Sequence, residues 1–159
     1  MNSAYLLLGS NIGNSRQQLL EATRLIKKNI GKVTRQSKLY VTAAWGNTNQ
    51  PDFLNQVIVI ETKLSATELI KSILTTETTM GRIRTEKNAP RIIDIDILFF
   101  NKEIILEKDL IVPHPEIQNR RFVLIPLNEL SPGLKHPVLK KTMHQLLETC
   151  TDTLDVKKF

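Results

Sequence analysis

Two aspartates, Asp94 and Asp96, stand inside the apolar run Ile92-Ile93-Asp94-Ile95-Asp96-Ile97-Leu98-Phe99-Phe100. Side chains alternate along a strand, so Ile93, Ile95, Ile97 and Phe99 should share one face and the two aspartates the other. One pleat separates the carboxylates, roughly 6–7 Å along the backbone. Two like charges on one face of a core strand repel, and both resist desolvation. A hard divalent cation such as Mg²⁺ removes that cost, because it takes carboxylate oxygens. Salt bridging to arginines is the competing reading. Arg82, Arg84, Lys87 and Arg91 lie just upstream, in a loop leading into the same strand. Arginine forks match phosphate oxygens and lysine acts as a point charge. Carboxylates beside a basic loop suit a metal–triphosphate complex, with a merely solvated loop as the plainer alternative.

Phe53 and Asn55 open another apolar run, on one face and across the expected sheet from Asp94. A ring that stacks and an amide that donates and accepts would suit a flat heteroaromatic ligand. Phe122, after Asn119-Arg120-Arg121, could supply a second ring. Taken alone, all three also read as core or edge residues. Glu77 falls on the inward stripe of a predicted helix, where an acid needs a partner such as Arg82 or Arg84. Gly9-Ser10-Asn11-Ile12-Gly13-Asn14 ends a strand before a helix, but lacks the Gly-Lys-Ser/Thr ending of a phosphate loop. It reads first as a turn and helix cap. His114 lies between Pro113 and Pro115, as a rigid turn or a phosphate contact. His136 and His144 carry no pattern, and no Cys/His cluster suggests zinc.

The elements that must position these residues follow in order. Ala4 to Leu8 reads as a buried strand. A helix with Leu19, Thr23, Ile26 and Ile30 on one face follows, opened by Asn14 with Gln17 as a capping box and stopped at Gly31. Residues 33–42 and 53–62 read as strands. Ser65 and Glu68 cap a second helix that ends near Gly81, and Ile92 to Phe100 is the fourth strand. A short strand near Ile104, an apolar run from Phe122 to Leu127, and a last helix capped by Thr142 and Gln145 complete the chain. The first hundred residues thus read β-α-β-β-α-β, an α+β, ferredoxin-like order with an antiparallel sheet and a C-terminal extension. Connection rules place strand one between strands three and four, with strand two at the far edge. One end of the sheet then gathers the ends of strands one and two, the starts of strands three and four, and the basic loop.

The chain has 159 residues, 41% hydrophobic and 24% charged, which fits one domain, 1–159, with a real core. No apolar run approaches the ~20 residues of a membrane span. Tyr5-Leu6-Leu7-Leu8 is too short for a signal segment. The lone Cys150 and the absence of a leader lead to the expectation of a reducing, cytoplasmic compartment. A net charge of +6 favours anionic partners, while eight aromatics are few for base-stacking platforms.

The motifs Gly9-Ser10-Asn11, Pro51-Asp52-Phe53-Leu54-Asn55, Glu77, Gly81-Arg82-x-Arg84, Pro90-Arg91-x-x-Asp94-x-Asp96-Ile97, Val112-Pro113-His114 and Asn119-Arg120-x-Phe122 occur in one order over nearly the whole chain. Together they resemble the 6-hydroxymethyl-7,8-dihydropterin pyrophosphokinase family of folate biosynthesis. The resemblance implies a ferredoxin-like core and transfer of pyrophosphate from ATP to the pterin hydroxymethyl group, leaving AMP. It implies that Asp94 and Asp96 bind two Mg²⁺ ions and that Phe53 and Phe122 sandwich the pterin. By the same resemblance, Asn55 and the backbone near Thr42 and Gly46 would bond the pterin's edges, and the loops around Trp45 and Arg84 would close over the substrates. Arg82, Arg84, Arg91, His114 and Arg120 would hold phosphates, Glu77 would stand at the ATP site, and Ile97 would pack near adenine. Arg82 and Arg91 would serve catalysis beside the aspartates. Departures are Leu74, where many members have Gln, a basic loop without an aromatic at Lys87-Asn88-Ala89-Pro90, and Ala43-Ala44-Trp45-Gly46 in place of a proline-rich loop.

Two rival functions share parts of this pattern. A nucleic-acid-binding domain of the same order would display aromatics on its open sheet, but two carboxylates there would repel a phosphate backbone. A metal-dependent nucleotidyltransferase or nuclease would use the aspartates and leave Phe53, Asn55 and Phe122 unexplained. The expected partners are therefore ATP and the pterin, with no nucleic acid and no membrane, and the expected state is a monomer.

Overall fold

Local rules place the helices. Asn14 Oδ1 accepts the Gln17 N–H at 3.1 Å and opens helix α1 (Ser15–Asn29); among the described residues the reciprocal half of that predicted capping box does not form. Ser65 with Glu68 and Thr142 with Gln145 close full capping boxes at the starts of α2 (Ala66–Thr79) and α4 (Met143–Thr149). Gly81, at φ +92°, takes the left-handed conformation that ends α2. The computed structural model describes residues 1–44, 49–83 and 89–159.

The strands in chain order are β1 (Asn2–Ser10), β2 (Lys32–Gln36), β3 (Tyr40–Thr42), β4 (Phe53–Thr62), β5 (Asp94–Phe100), the ribbon β6 (Ile105–Glu107) with β7 (Leu110–Val112), and β8 (Val156–Lys158). Helix α3 (Arg121–Leu130) lies between the ribbon and α4. The main sheet runs β5-β1-β4-β3-β8, with β2 also pairing β4, and its pairings are antiparallel. The fold is thus mixed helix and antiparallel sheet. Strand β1 lies between β4 and β5, as the connection rules require.

Helices cover both faces. On one face α1 and α2 bury Leu19, Ile26, Leu69 and Ile73 against Leu6, Leu8, Ile58 and Ile60. On the other, α3 and α4 bury Phe122, Leu124, Leu127 and Met143 against Leu7, Val57, Leu98 and Phe99. Each such side chain contributes about 1.5–3 kcal/mol. The central strand is therefore packed from above and below and cannot shift register without exposing both sets.

Two local expectations need correction, and two further elements had no expected counterpart. The expected strand over 33–42 is divided at Ser37, whose N–H still donates to the Val57 carbonyl at 2.8 Å, while its hydroxyl, in place of its carbonyl, accepts the Val57 N–H at 3.0 Å. Phe99 does not share a face with Ile93, Ile95 and Ile97: the β1–β5 register shifts between Tyr5 and Leu6, and this bulge turns Phe99 onto the α3 side. The run from Phe122 to Leu127 is helical despite Pro126. Strand β8 pairs with β3 and has no hydrophobic period of its own to announce it.

Candidate functional site

The chemistry collects at one end of the sheet. Gly9 of β1 is opposite Asn55 of β4 on one side and Asp94 of β5 on the other, so the three form a row across the sheet. Two strand spacings put Asn55 and Asp94 about 10 Å apart. A cleft of about 510 Å³, open to solvent, lies over this row and is lined by Thr42, Phe53, Asn55, Arg91, Asp94, Asp96, Arg120 and Phe122, with Leu7, Gly9 and Ala43 completing it.

Gly9 has no side chain for a steric reason. A Cβ there would meet Asn55 Oδ1 at 2.8 Å and Phe53 at 3.6 Å, so glycine makes the room that both use. Asn55 is 3% exposed and its Nδ2 has no hydrogen-bond partner among the described residues. An unmet buried donor costs about 1–3 kcal/mol, which a ligand with an acceptor edge would recover. The Arg91 guanidinium lies 5.4 Å from the Phe53 ring centroid and that of Arg120 lies 5.8 Å from Phe122. Each ring of the cleft is thus faced by a cation. The Thr42 hydroxyl is engaged with the Asp155 carbonyl at 3.1 Å.

The carboxylates differ sharply. Asp94 Oδ1 accepts from Arg82 at 2.8 Å and Oδ2 from Arg91 at 3.2 Å. Arg82 also bonds Glu77 Oε2 at 2.7 Å, and that same oxygen accepts the Ile95 N–H at 2.8 Å. Glu77, 3% exposed, therefore fixes both Arg82 and the backbone between the two aspartates. Burial opposes the charge of Arg82, but the Asp94 and Glu77 carboxylates outweigh it and raise its pKa above the ordinary value. Asp96 has no ion pair or hydrogen bond among the described residues. Burial, and then the charges of Asp94 and Glu77, push its carboxyl up to about 8, with Arg120 and Arg82 offsetting part of this. It is a carboxylate in want of a counter-charge.

Among the described residues no three His, Cys, Asp or Glu side chains converge as a closed metal cage. Two carboxylates facing one cleft match Mg²⁺ instead, which keeps several ligand positions for water and phosphate oxygens. The residues fit that ion: Asp96 supplies an unpaired oxygen donor, and Asp94 supplies oxygens now shared with two guanidinium groups.

A second cleft, of about 620 Å³, wraps the outer edge of β5. Ile70, Ile95, Ile97, Leu110, Ile111 and Pro115 supply apolar wall, Lys108 and Asp109 add one charge of each sign, and Asp96 and His114 complete the lining. Because β5 is an edge strand of its sheet, Asp96 borders both clefts. His114 is tied to the sheet by its N–H to the Leu98 carbonyl at 3.0 Å, and its Nδ1 accepts the Glu116 N–H at 3.1 Å. Burial, and then Arg120, lower its pKa, so the ring is neutral and its proton sits on Nε2. His114 thus offers a hydrogen-bond donor rather than a charge.

The structure brings together Thr42, Phe53, Asn55, Arg91, Asp94, Asp96, Arg120 and Phe122, and places Glu77 and Arg82 behind them and Ile97 and His114 in the second cleft. Trp45, Gly46 and Arg84 lie outside the described residues. Sequence reasoning missed Asn11 as a fastener: its Oδ1 accepts the Arg91 N–H at 2.9 Å, and its Nδ2 donates to Gln50 Oε1 at 2.7 Å and the Pro51 carbonyl at 3.1 Å. Lys108 was missed as well, since a lone lysine in a turn gives no signal.

Residues 5–132 match the family profile of 7,8-dihydro-6-hydroxymethylpterin-pyrophosphokinase. The 2-amino-4-hydroxy-6-hydroxymethyldihydropteridine pyrophosphokinase of Aquifex aeolicus is 38% identical over 145 residues, 91% of this chain and 90% of that protein. The protein of the same name from Bacillus subtilis is 42% identical over 130 residues, 81% of this chain and 78% of that one. Among solved structures, wild-type Plasmodium falciparum HPPK-DHPS superposes with a TM-score of 0.78 at 21% identity, over 92% of this chain and 43% of that longer chain, a likeness of fold.

Proposed function

The chain belongs to the 7,8-dihydro-6-hydroxymethylpterin-pyrophosphokinase family, and on that premise we propose that it transfers pyrophosphate from ATP to the hydroxymethyl group of 6-hydroxymethyl-7,8-dihydropterin in folate biosynthesis, releasing AMP. The observation that carries this reading is that Asp96 borders both clefts. A flat heterocycle in the first cleft and a nucleotide in the second would meet at one carboxylate pair. The pterin lies between Phe53 and Phe122, and its edge satisfies the unpaired Asn55 amide. Thr42, with Ala43, borders the slot. Adenine packs on Ile97 and Ile95, and the triphosphate runs toward Asp96 past His114, with Arg120, Arg82 and Arg91 as its cations.

In the reaction the pterin hydroxyl oxygen bonds to the β-phosphorus, the bond from that phosphorus to the oxygen bridging to the α-phosphate breaks, and the hydroxyl proton is lost to solvent. Asp94 and Asp96 would hold two Mg²⁺ ions, which screen phosphate charge and acidify the attacking hydroxyl. Arg82 and Arg91, which pair with Asp94, would stabilise charge that develops on the phosphates. Glu77 stands behind this array and keeps Arg82 aimed. Most of the rate gain comes from positioning two bound reactants.

The core is ferredoxin-like with a C-terminal extension, in one domain spanning 1–159, and the enzyme is a cytoplasmic monomer that uses neither nucleic acid nor membrane. Among the described residues no helix is long and apolar enough to cross a membrane. Incubation with ATP, Mg²⁺ and the pterin should give AMP and the pterin diphosphate. ADP as the nucleotide product would overturn the reading.

A further inference from the structure

Helix α3 carries Phe122 at its second position and begins without a side-chain cap of its own, since Arg120 in the capping position makes no such bond. Pro126 stands four residues after Phe122 and has no N–H to give to the Phe122 carbonyl. The turn that presents the ring is therefore weakly held from within. Residues far along the chain make up the deficit. Asp152 Oδ2 accepts the Arg121 N–H at 2.9 Å, and its Oδ1 accepts the Leu154 N–H at 3.0 Å. This sets a carboxylate at the positive end of the helix, where it is favoured. Beyond it, Val156 pairs with Thr42, Lys157 with Val41 and Lys158 with Tyr40, and the Asp155 carbonyl takes the Thr42 hydroxyl at 3.1 Å. Val156 also packs on the cluster that contains Phe122.

One short segment thus braces two walls of the same cleft. We infer that residues 152–158 are a positioning strap for the pterin slot, with Asp152 the residue that holds Phe122 in place through α3. The segment lies beyond the stretch matched by the family profile. It touches neither the carboxylate pair nor the second cleft among the described residues, so its effect should fall mainly on the pterin, with Arg120 at the cap of α3 passing a smaller part of it to the nucleotide. The inference rests on the proposed pterin reading of the slot.

The test compares wild type, Asp152→Ala and Asp152→Asn in the full chain. Dissociation constants for 6-hydroxymethyl-7,8-dihydropterin and, separately, for a non-hydrolysable ATP analogue with Mg²⁺ are measured, followed by KM and kcat. Loss of a cap-type bond predicts a pterin dissociation constant and KM weaker by about five- to tenfold in Asp152→Ala. Nucleotide affinity and kcat at saturating pterin should stay within about twofold, since mainly the slot is disturbed. Asp152→Asn keeps one acceptor oxygen and should fall between. Should Asp152→Ala fail to fold, a pterin-selective loss in Asp152→Asn still decides the matter. Equal losses for both ligands, or none, would overturn the strap. A wild type that binds nucleotide but no pterin would instead overturn the functional reading and the strap with it.

Discussion

Replacing Asp96 with Asn should make the metal-free protein more stable while abolishing its activity. Asp96 is half-buried between the two clefts, beside Asp94 and Glu77, with no ion pair among the described residues, and its carboxyl is pushed up to about 8. An unfolded aspartate titrates near 3.9. The folded state therefore holds a proton that the unfolded state has lost, and this group's contribution to stability falls as pH rises through that window. It levels off above about 8, where both states are ionised. At pH 7 the gap of about three units corresponds to roughly 4 kcal/mol as a ceiling. Relaxation and water entry reduce that to about 2–4 kcal/mol. Asn has the same shape and no charge, so the variant should melt about 6–12 °C higher at pH 7 in the presence of EDTA. The advantage should shrink toward pH 4. Scanning calorimetry of both proteins from pH 4.5 to 8.5 reads it directly. A variant that melts lower, or a gap that does not change with pH, would refute the claim that Asp96 is a strained carboxylate awaiting a cation.

Other perturbations probe the two walls and the support behind them. Phe122→Ala should weaken pterin binding by tenfold or more and leave nucleotide binding nearly unchanged, as two separate calorimetric titrations would show. Gly9→Ala places a methyl group 2.8 Å from Asn55 Oδ1, so pterin affinity should drop by at least tenfold with little change in melting temperature, and an unchanged affinity would mean that Asn55 does not face the ligand. Glu77→Ala strips the buried Arg82 of one of its two carboxylates and frees the Ile95 N–H. It should cost about 3–5 kcal/mol in urea unfolding and lower kcat as well.

Much of this site could be read before the fold was known, because its residues obey strict local periods. The alternation around Asp94 and Asp96 announced their shared face, and the same rule set Asn55 beside Phe53. Capping residues at Ser65 and Thr142 fixed two helix starts by side-chain chemistry alone. What was hidden is non-local. The bulge that moves Phe99 to the α3 side depends on how β1 and β5 pair, and no residue type marks it. The sharing of Arg82 between Glu77 and Asp94 needs α2 and β5 side by side. Asn11, in a turn that read as a helix cap, ties two loops together only because those loops meet in three dimensions. Asp152 reaches back 31 residues to a helix whose own sequence gave no cap.

The central claim is that a pyrophosphoryl group, not a single phosphoryl group, crosses from one cleft to the other at the Asp94–Asp96 pair. ATP labelled at the β-phosphorus, supplied with Mg²⁺ and 6-hydroxymethyl-7,8-dihydropterin, follows that group directly. The label should leave the nucleotide pool and appear in the pterin product in step with turnover, and neither Asp94→Ala nor Asp96→Ala should transfer it. Label that stays with the nucleotide while the pterin is phosphorylated would contradict the account.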